Sequence, residues 1–262
     1  MFYPKELREN KWLEYYCKFF NTVELNVTFY RLPPKNVFKN WYKRVPEEFL
    51  FVAKGSRYIT HVKKLKDTKD ALIKLFDLLE ELKEKLGVVL WQFPPGMKVE
   101  LKRMEEFFKQ ISKYKVRQAF EFRHPSWFRE EIYNLLKEYN FSLCLAHSPY
   151  WPLVEVITSD FVYLRFHGGT SLYGSNYSEK ELQTWAEKAK IWLGKGLDFY
   201  AYFNNDAYGY AVKNALRLRE ILTKNKAKTE EIIYNALQMI FSLRILLWPI
   251  IPSAIKKLNE LL

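Results

Sequence analysis

Residues 161–192 read FVYLRFHGGTSLYGSNYSEKELQTWAEKAKIW. The stretch opens on six residues, five of them apolar or aromatic and the sixth Arg165, and is closed by the pair Gly168-Gly169. That is the length and composition of a strand. A polar turn follows, then Ser178 three residues ahead of Glu181, the capping-box spacing that starts a helix. The helix runs through Trp192 and stops near Gly194 and Gly196. A strand that ends on a polar turn and is followed by an amphipathic helix is the repeating unit of a parallel α/β fold.

Outward from this unit the pattern recurs. Strands are expected at Thr22–Phe29, Phe49–Lys54, Val88–Phe93, Val116–Phe122, Phe141–Ala146, Phe161–Phe166 and Phe199–Phe203. Several are apolar without alternation, as in a sheet covered on both faces. Helical spacing fills Leu7–Phe20, Asp67–Leu86, Leu101–Ile111, Phe128–Tyr139 and Ala211–Leu222; in the second, Leu72, Leu75, Phe76, Leu79 and Leu82 make one stripe. Strict alternation leaves two architectures. An open doubly wound sheet would carry a Gly-rich phosphate loop after its first strand, and no GxGxxG or GxxxxGK[ST] exists here. The alternative is a closed (β/α)8 barrel. Seven strands are found and the chain opens on a helix, so the expected fold is a TIM-like barrel lacking its first strand.

Composition agrees. The 262 residues are 48% hydrophobic and 27% charged, enough for a large core and too apolar for general disorder. Aromatics reach 18%, which favours stacking surfaces beyond the core. Cys17 and Cys144 sit in apolar runs, with no CxxC and no disulfide framework, so a reducing cytoplasm is the expected home. The N-terminus, MFYPKELREN, has no apolar signal core. Lys and Arg exceed Asp and Glu by 42 to 30, and the net charge of +12 suits a polyanionic or phosphorylated partner, or simply a Lys/Glu-rich surface.

Barrel enzymes build their sites at the C-terminal ends of strands. Here every expected strand ends in polar groups: Glu24, Asn26 and Tyr30; Lys54, Arg57 and Tyr58; Gln92; Glu121, Arg123, His124 and Trp127; His147; Arg165 and His167; Asn204, Asn205 and Asp206. His61 follows Lys54 on the same rim. Glu24, Lys54, Glu121, Arg123 and Arg165 interrupt apolar runs, which is costly unless they are paired or used; a structural ion-pair network is the plainest account of some of them. In the functional account, Glu24, Glu121, His124, His167 and Asp206 are the candidate acid–base residues. Asn26, Tyr30, Lys54, Arg57, Tyr58, Gln92, Arg123, Trp127, Arg165, Asn204 and Asn205 are the candidate substrate contacts. Tyr58, Trp127 and Tyr173 offer stacking faces, and Gly168 and Gly169 an anion cradle. The His and carboxylate set would also suit a divalent metal, though no HExxH-type spacing supports it.

Several of these segments resemble the DUF72 (YecE-like) family: FYPKELRENKWLEYYCKFFNTVELNVTFYRLP, FLFVAKGSRYITH, WQFPP, AFEFRHPSWF, FVYLRFHG, YSEKEL and AYFNNDAYGYAVKNALRLREIL, in that order from residue 2 to about 222. The resemblance implies a TIM barrel over 1–222. It implies no reaction. Family members usually open with a strand and a GTSGWSY-like turn ahead of FYP, where this chain begins, and usually carry ADSP where this chain has Ala146-His147-Ser148-Pro149.

Residues 223–262 form the expected C-terminal helical extension. Its apolar run Ile232–Trp248 holds Asn235, Gln238 and Arg244, so no membrane span is expected. LRILLWPIIPSAIKKLNELL is weakly similar to the anticodon-binding helices of methionyl-type tRNA synthetases; the favoured expectation is a helical hairpin that packs on the barrel and covers its gap. The leading expectation is an enzyme acting on a phosphate-containing substrate, with a nucleic-acid phosphodiester among the options. A non-catalytic nucleic-acid-binding barrel and a sugar or sugar-phosphate enzyme remain open beside it.

Overall fold

The structure, a computed structural model, describes residues 2–224 and 237–239. A short helix α1 (Trp12–Tyr16) leads into β1 (Thr22–Leu25), α2 (Val27–Tyr30), α3 (Lys35–Arg44), β2 (Leu50–Lys54), α4 (Lys69–Leu79), β3 (Leu86–Gln92), α5 (Leu101–Ile111) and β4 (Arg117–Glu121). Then come α6 (Glu130–Glu138), β5 (Ser142–His147), β6 (Phe161–Phe166), α7 (Glu179–Gly194), β7 (Asp198–Phe203), α8 (Tyr210–Lys224) and β8 (Leu237–Met239). The strands are hydrogen-bonded in sequence order and each ladder is parallel. Strands β1 to β7 curve into a nearly closed TIM-like barrel. The three-residue β8 pairs with β7 and lies beside β1, in the gap. The extension expected to be helical therefore contributes a strand at 237–239; its other residues beyond 224, including the synthetase-like stretch, lie outside the described residues.

Three other expectations change. The first strand stops at Leu25 rather than Phe29, because the Thr28 hydroxyl turns back to the carbonyls of Leu25, at 2.8 Å, and Lys54, at 2.7 Å, and the chain coils into α2. The helix expected to reach Leu86 is regular only to Leu79. Beyond it Lys85 is buried, with its ammonium on the Tyr42 and Val45 carbonyls at 3.0 and 2.9 Å, where it satisfies the end of α3. Between β5 and β6 the alternation lapses, for residues 148–160 form an irregular crossover. Thr158 holds it down by donating to the Phe141 carbonyl at 2.7 Å and accepting from the Leu143 N–H at 2.8 Å. The capping box at Ser178 and Glu181 forms as expected.

Side chains alternate along each strand, so the barrel has two separate cores. On β6, Val162, Leu164 and Phe166 face the helices, whereas Phe161 and Tyr163 face inward. The interior is layered. At its base Arg117 pairs with Asp198 at 2.5 Å. Above, Tyr163, Tyr200 and Tyr202 stack with Val52, Val88, Leu90, Ala119 and Cys144. The aromatic layer fills the barrel, so any site must lie at the C-terminal mouth.

Gly55 follows β2 where no side chain fits. A Cβ there would lie 2.3 Å from Trp91 Cε3, and the Trp91 indole is fixed by donating to Gln118 Oε1 at 2.7 Å. Gly55→Ala is therefore expected to cost about 1–3 kcal/mol through overpacking, read as a lowered urea midpoint; an unchanged midpoint would show that the indole moves aside freely.

Candidate functional site

The mouth of the barrel is organised by Arg165, the fifth residue of β6. Strand alternation turns it inward, one layer above Tyr163. Its guanidinium donates to Glu24 Oε1 on β1 at 2.8 Å and to Glu121 Oε2 on β4. Arg123 donates from Nε to Glu121 Oε1 at 2.7 Å, and the Tyr163 hydroxyl donates to Glu24 Oε2 at 2.8 Å. Arg165, Glu24 and Glu121 are almost wholly buried. Burial by itself would raise the Glu121 carboxyl, but the Arg165 and Arg123 charges outweigh it and hold Glu121 well below the usual carboxylate range. The same two carboxylates outweigh burial at Arg165 and hold it firmly charged. His167 is also buried and lies 3.4 Å from Glu121 through Nε2. Burial pushes its imidazole down to about 4, so it is neutral, and pairing with an acceptor-only carboxylate places its proton on Nε2.

Two carboxylates thus balance two guanidiniums, and Lys54 is left over. It ends β2, is 7% exposed, and its ammonium has no hydrogen bond or ion pair among the described residues. Its nitrogen lies 4.1 Å from the centre of the Phe29 ring. Such a cation–π contact is worth about 0.5–2 kcal/mol. Burial and the neighbouring Arg165 charge act against the ammonium more strongly and bring Lys54 down to about 7, although Glu24 and Glu121 pull the other way.

Above this layer opens a cavity of about 520 Å³. It is lined by Lys54, Arg57, Arg123 and Arg165, by one carboxylate, Asp206, and by Asn26, Gln92, Asn204, Phe29, Tyr30, His61 and Tyr173. Asn26 Nδ2 and Asn204 Oδ1 are buried with no hydrogen-bond partner among the described residues. Burial raises the Asp206 carboxyl. Burial, with Lys54 and Arg57 beside it, lowers His61 to about 4. The Arg123 guanidinium lies over the Trp151 ring at 4.1 Å, and Trp151 in turn meets the His167 ring edge-on at 5.3 Å.

The structure thus gathers Asn26, Tyr30, Lys54, Arg57, Gln92, Arg123, Arg165, Asn204 and Asp206 around one cavity. Glu24, Glu121 and His167 lie beneath it, and the carboxylate oxygens are already taken by Arg165, Arg123 and Tyr163, so both acids buttress the cup. Others fall elsewhere. His124 accepts from the Ser126 N–H at 3.1 Å and caps a short turn. Trp127 is buried flat against Phe122 at 4.6 Å with its indole N–H on the Met97 carbonyl, so it presents no stacking face. Asn205 is buried between Ser175 and Asn214. Tyr58 is exposed on a neighbouring groove with Lys63 and Asp70. The Gly168 N–H, half of the expected anion cradle, donates instead to the Tyr177 hydroxyl at 3.0 Å, and those of Thr170 and Ser171 donate to Ser175 Oγ. Among the described residues no three His, Cys, Asp or Glu side chains converge as a metal site, and no helix is long and apolar enough to cross a membrane. Phe29, Trp151 and Tyr163 were not legible as site residues: each sits in an apolar or loop run with nothing to mark it.

A family model described as "Protein of unknown function DUF72" matches residues 1–236. The UPF0759 protein YunF of Bacillus subtilis is 24% identical over 254 residues, 84% of this chain and 89% of YunF. UPF0759 protein YecE of Escherichia coli is 28% identical over 117 residues, 44% of this chain and 43% of YecE. The crystal structure of a DUF72 family protein from Thermotoga maritima superposes with a TM-score of 0.74 at 32% identity, covering 84% of this chain and 92% of that one.

The surplus Lys54 has a thermodynamic signature. Its pKa falls from an ordinary 10.5 to about 7 on folding. Between those values the unfolded chain binds a proton that the folded chain does not, so this group makes stability rise with pH across that window; below about 7 its full penalty stands. Lys54→Met is expected to be more stable than the parent at or below pH 7, with the advantage fading as pH climbs towards 10.5. Equal urea midpoints at pH 7 would show that the ammonium is well solvated.

Proposed function

Since the chain belongs to the DUF72 family, whose description carries no reaction, we propose from the cup itself that the protein is an enzyme acting on a phosphate-containing substrate. One observation carries this reading: three permanently charged guanidiniums, of Arg57, Arg123 and Arg165, line a cavity whose lining includes one carboxylate, Asp206, among the described residues. Glu24 and Glu121, which would repel an anion, are withdrawn below it and neutralised. An incoming phosphate would accept from Arg57, which has no ion pair among the described residues, and from Arg123, whose orientation Glu121 and Trp151 fix. Asn26 and Asn204 hold unpartnered polar atoms for the rest of the substrate. Asp206, whose carboxyl burial raises, and His61, whose imidazole burial lowers to about 4, line the same cavity and are the groups available for the proton transfers that cleavage of a phosphoester bond requires. The volume suits a nucleotide or sugar phosphate.

A second reading, a nucleic-acid-binding barrel without turnover, draws on the rim. All five exposed aromatic side chains among the described residues are tyrosines on segments that follow strands: Tyr30, Tyr58, Tyr150, Tyr173 and Tyr208. Such faces stack bases or sugars irrespective of sequence.

Calorimetric titration with inorganic phosphate and nucleoside monophosphates separates the readings when run beside turnover of bis(p-nitrophenyl) phosphate. Arg57→Gln removes a surface guanidinium that carries no structural bond, and is expected to weaken phosphate binding about tenfold, the loss of one charge-assisted hydrogen bond. No phosphate binding by the parent protein would defeat the proposal. Binding of single-stranded nucleic acid that falls steeply with salt, without turnover of any phosphoester, would favour the second reading.

A further inference from the structure

Two lysines are buried among the described residues, Lys54 and Lys85. Lys85 has an evident structural use, with its ammonium on two backbone carbonyls. Lys54 has none. Its two nearest acids, Glu24 and Glu121, have their oxygens occupied by Arg165, Arg123 and Tyr163. Its amine lines the cup, and it stands against the face of Phe29, which screens that side from water. A phosphate clamp would be built from a group that stays charged. The three arginines are that; Lys54 is placed so that the neutral amine is favoured.

We propose that Lys54 is a nucleophile and that the substrate carries, besides its phosphate, an aldehyde or ketone group with which the Lys54 amine forms a Schiff base. This rests on the reading of the cup as a phosphate-substrate site and names the class of that substrate, a phosphorylated carbonyl compound. The step balances without an oxidant or reductant. The nitrogen lone pair attacks the carbonyl carbon as the carbonyl π pair moves to oxygen, which takes up a proton. The nitrogen loses one, giving a neutral carbinolamine. The nitrogen lone pair then expels the hydroxyl, which leaves as water with a proton donated from the cup wall and gives a protonated imine; return of the N–H proton to the donor completes the balance, amine plus carbonyl becoming imine plus water. Asp206 is placed to be the donor: it lines the same cavity and burial keeps its proton on to higher pH than usual. With Lys54 near 7, a large fraction of free amine is present at neutral pH. A lowered lysine and a raised carboxyl in one cavity are the pairing that nucleophile and proton donor require. Arg57 and Arg123 would hold the phosphate while the carbonyl reaches the floor.

The test is reductive trapping on the full chain. Dihydroxyacetone phosphate is added, the imine is reduced with sodium borohydride, which delivers hydride to the imine carbon while water protonates the nitrogen, and the modified lysine is located by peptide mass spectrometry. The expected result is a single adduct, the mass of the probe less one oxygen, on Lys54. It should form at least tenfold faster than on any surface lysine, faster as pH rises through 7, and be suppressed by inorganic phosphate. Lys54→Arg should abolish it while phosphate binding persists. Adducts spread evenly over surface lysines and unchanged in Lys54→Arg would overturn the inference, and with phosphate still bound by the protein the phosphate-site reading would survive. Trapping on Lys54 that is as fast with dihydroxyacetone and is not suppressed by phosphate would instead keep the nucleophile and remove the phosphate site.

Discussion

The bridge from Arg165 to Glu24 and Glu121 is the constraint on which the mouth of this barrel depends. A guanidinium removed from water is tolerated only when its charge is met and its donors are placed. Arg165 meets both acids across the barrel interior, over sequence separations of 141 and 44 residues. The bridge ties β6 to β1 and β4, and its geometry is passed on. Glu121 orients Arg123, Arg123 lies on Trp151, and Trp151 packs on His167, which returns to Glu121. Among the described residues each charge in the layer has an ion-pair partner except that of Lys54. The cup is cationic because Glu24 and Glu121 lie below it while Lys54, Arg57, Arg123 and Arg165 face into it against the one described carboxylate, Asp206.

The rest of the interior leaves that layer as the place for chemistry along the barrel axis. Tyrosines fill the middle of the barrel and the Arg117–Asp198 pair closes the bottom, so the cavity opens at the mouth. The rim carries strain where it meets this opening. Tyr173 and Tyr208 both hold left-handed backbone, with φ of 61° and 62°, which bulky residues seldom adopt. Tyr173 is kept there by its N–H on the His167 carbonyl at 2.6 Å, and its ring lies edge-on to the His167 imidazole. Backbone strain that its surroundings enforce gathers at ligand-binding positions, and Tyr173 lines the cup.

Much of this was legible before the fold was seen, and for local reasons. Ser178 and Glu181 announced a helix start that forms with both reciprocal bonds. Strands β2 to β7 fall where apolar runs end in polar turns, and charges inside those runs marked Glu24, Lys54, Glu121, Arg123 and Arg165 as paired or used. Boundaries failed where a side chain competed with the backbone, as Thr28 did at the end of β1, or where a distant element needed a cap, as α3 takes Lys85. Trp127 and Asn205 were misread because residue type says nothing about which way a loop turns. Phe29, Trp151 and Tyr163 were invisible because each matters only through a partner far along the chain.

The division follows from how far each interaction reaches. Alternation, capping and the placing of polar groups at strand ends depend on neighbours within a few residues, so the order of amino acids alone determined a parallel barrel with an ionisable rim. Which of those ionisable groups are occupied and which face the cavity depends on separations of tens to hundreds of residues. Only the nearly closed barrel, by bringing Glu24, Glu121, Arg165 and Lys54 into one layer, decided that the acids would be neutralised and that the lysine would have no ion pair among the described residues.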